Sequence, residues 1–122
     1  MLARNQRLTT VQFAQAFAGG TILRHALLQA RIVRRHDDIS VLRAAFVAPR
    51  KMGGAVVRNQ LRRRLSEVFR AVTRNRKADA LAGCDFIFIA TPAARTATPE
   101  QLAGAIDQLL RRAARQLKEN GE

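Results

Sequence analysis

The stretch "VVRNQLRRRLSEVFR", residues 56–70, carries five arginines and a single acid, Glu67, on a helical apolar pattern. At about 100° per residue, Val57, Leu61, Leu65, Val68, Phe69 and Val72 fall within one arc, so the stretch reads as an amphipathic helix with one face packed on a sheet. Asn59, Arg63, Ser66, Arg70 and Arg74 fall on the opposite side. Arg58 and Arg62 lie on one flank near the apolar border, and Arg64 on the other. Glu67 follows Arg63 by four residues, the less favourable orientation for such a pair. The helix therefore repels itself until something anionic arrives.

Just upstream, "APRKMGGAVV" (48–57) adds Arg50 and Lys51, and residues 50–77 hold ten basic residues against one acid. Gly53 and Gly54 leave the helix start without bulk, where free N–H groups and the helix dipole can receive a phosphate. Before this, "TILRHALLQARIV" (21–33) and "SVLRAAFVA" (40–48) are apolar and β-branched around the polar "RRHDDI" (34–39). They read as antiparallel strands around a turn, the second closed by Pro49. After the helix, "CDFIFIA" (84–90) is apolar on both faces and reads as a covered interior strand.

Both ends of the chain read as helices. In "LTTVQFAQAFAGG" (8–20), Thr9 and Gln12 have capping-box spacing and Leu8 and Phe13 staple spacing, with Gly19-Gly20 as the stop. Phe13 and Phe17 share one face, and by spacing alone both are core residues. In "TPEQLAGAIDQLLRRAARQLKENG" (98–121), Thr98 is the N-cap, Pro99 the first helical residue, Gln101 closes the box, and Asn120-Gly121 is the stop. Leu102, Ile106, Leu109, Leu110, Ala113 and Leu117 form its apolar stripe. The order is helix, strands, long helix, strand, helix: an α+β fold with a small antiparallel or mixed sheet packed against helices. At 122 residues and 48% hydrophobic, the chain reads as one domain, 1–122, with residues 1–8 as a flexible tail.

Composition narrows the function. Twenty-two basic residues against nine acidic give a net charge of +13, and 19 of the 22 are arginine. That charge attracts a polyanion, and arginine's planar fork grips phosphate bidentately and stacks on bases. A helix-turn-helix for DNA needs a second short helix close by, whereas extended segments flank this one. With no Trp or Tyr and six Phe, stacking platforms are few, so structured RNA fits better than an aromatic-rich single-strand reader. The nine carboxylates are scattered and pair into no acid/base or metal-binding arrangement. His25 in a strand and His36 in a turn read as structural or solvated. Cys84 is the lone cysteine, so no internal disulfide is expected and the location is cytoplasmic. "MLARNQRLTT" lacks the apolar run of a signal peptide, and no stretch reaches the length of a membrane span.

Over most of its length the chain resembles the bacterial ribonuclease P protein subunit. "FVAPRKMGGAVVRNQLRRRLSEVFR" (46–70) is similar to that family's signature of a strand, a basic pair, a glycine, Ala-Val and Arg-Asn before a basic helix. Arg7-Leu8, Phe13, Phe17, "DFIFIATPAA" (85–94) and the final amphipathic helix match in order. The resemblance implies a protein that binds a catalytic RNA and the 5′ leader of precursor tRNA, assisting Mg²⁺-dependent removal of that leader. It implies chemistry carried by the RNA, with Mg²⁺ held there, and no protein catalytic residue, metal site, membrane or DNA partner.

The resemblance also implies a left-handed β-α-β crossover, the hand that general topology disfavours. Carried over by residue, it makes Arg50, Lys51, Arg58, Asn59, Arg62 and Arg63 the RNA contacts and Phe13, Phe17 and Phe46 the leader contacts. Gln60 and Ser66 depart from arginines usual in the family, Gly54 from a polar or basic residue, and Gln29 from an aromatic. A ribosomal or RNA-chaperone protein would share the charge and fold without affecting leader cleavage. A membrane-surface helix is the other rival, although its apolar arc is needed for the protein's own core.

Overall fold

The computed structural model describes residues 2, 6–35, 42–74, 81 and 83–119. In chain order these form α1 (Thr10–Gly19), β1 (Thr21–Arg24), β2 (Leu28–Arg34), β3 (Arg43–Val47), a 3-10 turn (Arg50–Met52), α2 (Ala55–Arg74), β4 (Cys84–Ala90), a second 3-10 turn (Pro92–Thr96) and α3 (Pro99–Glu119). Both expected capping boxes are present. Thr9 Oγ1 accepts from Gln12 N while Thr9 N donates to Gln12 Oε1, and Thr98 and Gln101 repeat the exchange. Each satisfies two N–H groups that a helix start otherwise leaves orphaned. His36 and the Asn120-Gly121 stop lie outside the described residues.

The fold is α+β, and its four-stranded sheet runs β1-β2-β4-β3, with β1–β2 and β2–β4 antiparallel and β3–β4 parallel. This corrects one expectation. The segments 21–33 and 40–48 are not partners around a turn, because β4 inserts between β2 and β3. The cause is burial: all of β4 except Ile89 is buried, and a strand apolar on both faces belongs in the sheet interior. A second correction concerns His25, which lies in the β1–β2 turn and not in a strand. Its N–H donates to Leu28 O (2.9 Å), and its Nδ1 accepts from Leu27 N (3.0 Å).

Register assigns the two faces of the sheet. Leu23, Ala30, Phe88 and Phe46 are successive cross-strand partners, as are Ile32, Phe86 and Ala44. This face carries α2 and α3, whose buried Leu61, Leu65, Val68, Phe69, Leu102, Ile106, Leu109, Leu110 and Ala113 complete the main core. Burying each leucine contributes about 1.5–3 kcal/mol, so four inward residues fix α2 far more firmly than helix propensity does. The opposite face carries Gln29, Arg31, Ala45, Asp85, Ile87 and Ile89. There α1 packs on β2 and β4, with Ala16 of the helix and Ile87 of β4 both buried.

Ahead of α1, two residues contact the body of the protein. Leu2 is buried in the core cluster, and Arg7 makes a parallel bridge to Ala44 on β3. The edge strand β3 offers its free backbone groups to Arg7, and the apolar cleft beside it takes Leu2.

Candidate nucleic-acid interface

The wheel drawn from residues 56–72 is realised in α2. Leu61, Leu65, Val68 and Phe69 are buried, Val57 and Val72 half-buried, and Asn59, Arg63, Arg64, Arg70 and Arg74 exposed. Gln60 is exposed and Ser66 half-buried, so the two departures sit on or beside the basic face, where exposed Arg64 and Arg70 supply charge at neighbouring angles. Arg58 and Arg62, on the flank, are half-buried. Arg62 donates from Nη2 to Asn59 Oδ1, so this asparagine orients a guanidinium. Arg58 Nε is buried without a hydrogen-bond partner, an arrangement that carries a desolvation cost. Among the described residues no ion pair joins Arg63 to Glu67.

The helix start is shaped by two glycines with different roles. Gly53 has φ +134°, a conformation L side chains rarely adopt, and its N–H donates to Arg50 O (3.2 Å). This closes the 3-10 turn that buries Met52 while Arg50 and Lys51 stay exposed. At Gly54 a Cβ would meet open space, and Gly54 O accepts the first helical bond from Arg58 N (3.0 Å). The six expected RNA contacts are thus on one continuous element, the turn and first two and a half turns of α2.

The three expected leader contacts do not share a wall. Phe13 and Phe17 stack on α1 with centroids 5.9 Å apart, Phe13 half-buried and Phe17 41% exposed. Packing and exposure coexist there. Phe46 lies on the α2 side of the sheet, 5.7 Å from both Phe69 and Phe88. The sheet separates it from the α1 pair.

Sequence reading missed Arg31. Its guanidinium carbon lies 4.0 Å from the Phe17 ring centroid, and its Nη1 donates to Phe17 O (2.6 Å). Cation–π contact and hydrogen bond together hold the exposed ring in place. The signal was strand parity: Gln29, Arg31 and Val33 alternate with the buried Leu28, Ala30 and Ile32, so Arg31 had to face α1. Gln29 is half-buried on that same face. The result is an aromatic pair on a positively charged support.

Comparison with known proteins agrees with this architecture. The family model for Ribonuclease P matches residues 2–114. A ribonuclease P protein component from Clostridium novyi is 24% identical over 113 residues, 92% of this chain and 96% of the relative. One from Beutenbergia cavernae is 34% identical over 105 residues, 86% of this chain and 84% of the relative. A structure of a mutant Staphylococcus aureus RNase P protein shares the fold, with a TM-score of 0.74 at 22% identity, covering 90% of this chain and 89% of that one.

Proposed function

This chain belongs to the ribonuclease P protein family, whose ribonucleoprotein processes tRNA, and on that premise we propose that it binds the catalytic RNA and the 5′ leader of precursor tRNA. The observation that carries this reading is the division of α2 into a buried apolar face and an exposed arginine face. The exposed arginines are not needed to hold the helix, which is anchored by its core. They are available to phosphate.

In this reading Arg50, Lys51, Arg58, Asn59, Arg62 and Arg63 contact the catalytic RNA. Arginines on a rigid helix neutralise crowded phosphates where RNA and precursor meet, and the counterions released make association strongly salt-dependent. Phe13 and Phe17, backed by Arg31, stack against unpaired leader bases. Phe46 is assigned no leader contact, since it lies across the sheet from that pair. Mg²⁺ and the cleavage chemistry belong to the RNA, and the protein lowers the Mg²⁺ requirement by supplying fixed positive charge. The working compartment is the cytoplasm.

The test is cleavage of a leader-bearing precursor tRNA by a bacterial ribonuclease P RNA at low Mg²⁺, with and without this chain. Rescue by the chain, with no cleavage by the chain alone, supports the proposal. RNA binding without rescue moves the protein to a ribosomal or chaperone role.

A further inference from the structure

A recess of about 580 Å³ opens between α3, the β1–β2 turn and the end of the 3-10 turn Pro92–Thr96. Leu27, Ala97 and Ala105 give it an apolar wall, and His25, Thr96, Gln101 and Gln108 bring uncharged hydrogen-bonding groups. His25 Nδ1 accepts from Leu27 N (3.0 Å), which leaves Nε2 as the donor of the ring. Gln101 Oε1 accepts from Thr98 N (2.8 Å), so its NH2 remains, while Gln108 brings both halves of its amide. In a chain of net charge +13, this lining holds no arginine, lysine or carboxylate.

Gly104 keeps the recess open. It lies inside α3, where a glycine weakens a helix, and a Cβ there would meet nothing within 4 Å. Packing therefore does not require the missing side chain, and the space it leaves belongs to the recess. Guanidiniums stand at the rim. Arg112, one turn beyond Gln108, donates from Nη1 to Arg24 O (2.6 Å), next to His25, and Arg95 is exposed on the 3-10 turn that supplies Thr96. Glu100 and Asp107 of α3 lie outside the lining, and Asp107 is paired with Arg111 (2.9 Å).

We propose that this recess receives one unpaired base of the catalytic RNA, with Arg95 and Arg112 on the phosphates beside it. The chemistry of the lining selects a base. An apolar segment would strand four hydrogen-bonding side chains, and an acidic one would meet no cation inside. A base edge carries donors and acceptors for the amides and the imidazole, and its flat face suits the apolar wall. Position selects the RNA. The turn Pro92–Thr96 packs on the turn Arg50–Met52, which presents Arg50 and Lys51, so an RNA lying on the start of α2 continues across Arg95 into the recess. The Phe13–Phe17 pair assigned to the leader lies across the sheet, on α1. The inference rests on the RNA-binding reading and extends it to residues that the resemblance does not assign.

The test titrates the full chain, Gly104→Ala and Gly104→Leu against a bacterial ribonuclease P RNA. Both substitutions raise helix propensity and enter open space, so the fold is kept. Gly104→Leu fills the recess and is expected to weaken RNA binding about tenfold with an unchanged salt slope, Gly104→Ala by less. Arg95→Gln and Arg112→Gln are each expected to lower that slope by about 0.7–0.9. Photocrosslinking of the unaltered chain to the same RNA carrying 4-thiouridine should mark residues 25–27, 95–97 or 101–108. Equal affinity of Gly104→Leu and the parent, or a loss confined to precursor binding by the reconstituted holoenzyme, overturns the proposal while leaving the cleavage assay to judge the function. So does binding of AMP that Gly104→Leu abolishes with RNA affinity intact, which would give the recess to a free nucleotide.

Discussion

Arg43 and Asp85 meet as a fork across the parallel β3–β4 pair, with Nε 2.8 Å from Oδ1 and Nη2 2.9 Å from Oδ2. Arg35, just past the end of β2, places Nη1 2.7 Å from the same Oδ1 and 3.0 Å from Cys84 O. One buried carboxylate thus clasps three strands at one end of the sheet. Asp85→Asn keeps the shape and removes the charge. Because breaking a buried ion pair from one side costs roughly 3–5 kcal/mol, this variant is expected to lose about 3 kcal/mol of stability, read by urea unfolding. A loss below about 1 kcal/mol would show that the clasp is dispensable.

Arg63 and Arg70 face solvent on α2. Replacing either with alanine should change stability by no more than about 0.5 kcal/mol. The same change should reduce the slope of log affinity for ribonuclease P RNA against log salt by about 0.7–0.9 for each phosphate left without its arginine. Equal slopes for both variants and the parent would remove this face from the interface.

Phe17 and Arg31 act as a unit, so their variants should share one phenotype. Phe17→Leu and Arg31→Leu are each expected to weaken holoenzyme binding of leader-bearing precursor several-fold, and the double variant by less than the product of the two. Binding of tRNA without a leader should not change. A comparable loss for both substrates would point to general damage and not to leader recognition.

The paired glycines before α2 should respond in opposite ways. Gly53→Ala forces a Cβ into φ +134° and is expected to destabilise by more than about 1 kcal/mol. Gly54→Ser, in open space at the N-cap, should be neutral or stabilising by a few tenths of a kcal/mol. Thermal unfolding of both variants decides the matter, and tolerance at Gly53 would count against the role assigned to its backbone.

Features that depend on neighbours a few residues apart are legible in the chain alone. The boxes at Thr9–Gln12 and Thr98–Gln101, the division of α2 into apolar and arginine faces, and the interior character of residues 84–90 are local properties. A helix turn brings i, i+3 and i+4 together whatever the rest of the chain does. The order β1-β2-β4-β3, the docking of Arg7 against Ala44, the convergence of Arg35 and Arg43 on Asp85, and the separation of Phe46 from Phe13 and Phe17 emerge from the folded chain. Such relationships join residues far apart in the chain, 50 positions for Arg35 and 42 for Arg43 in the Asp85 clasp, and strand pairing is what brings them together. Strands such as β4, apolar on both sides, carry no alternation to announce which face, or which neighbour, each side chain will meet.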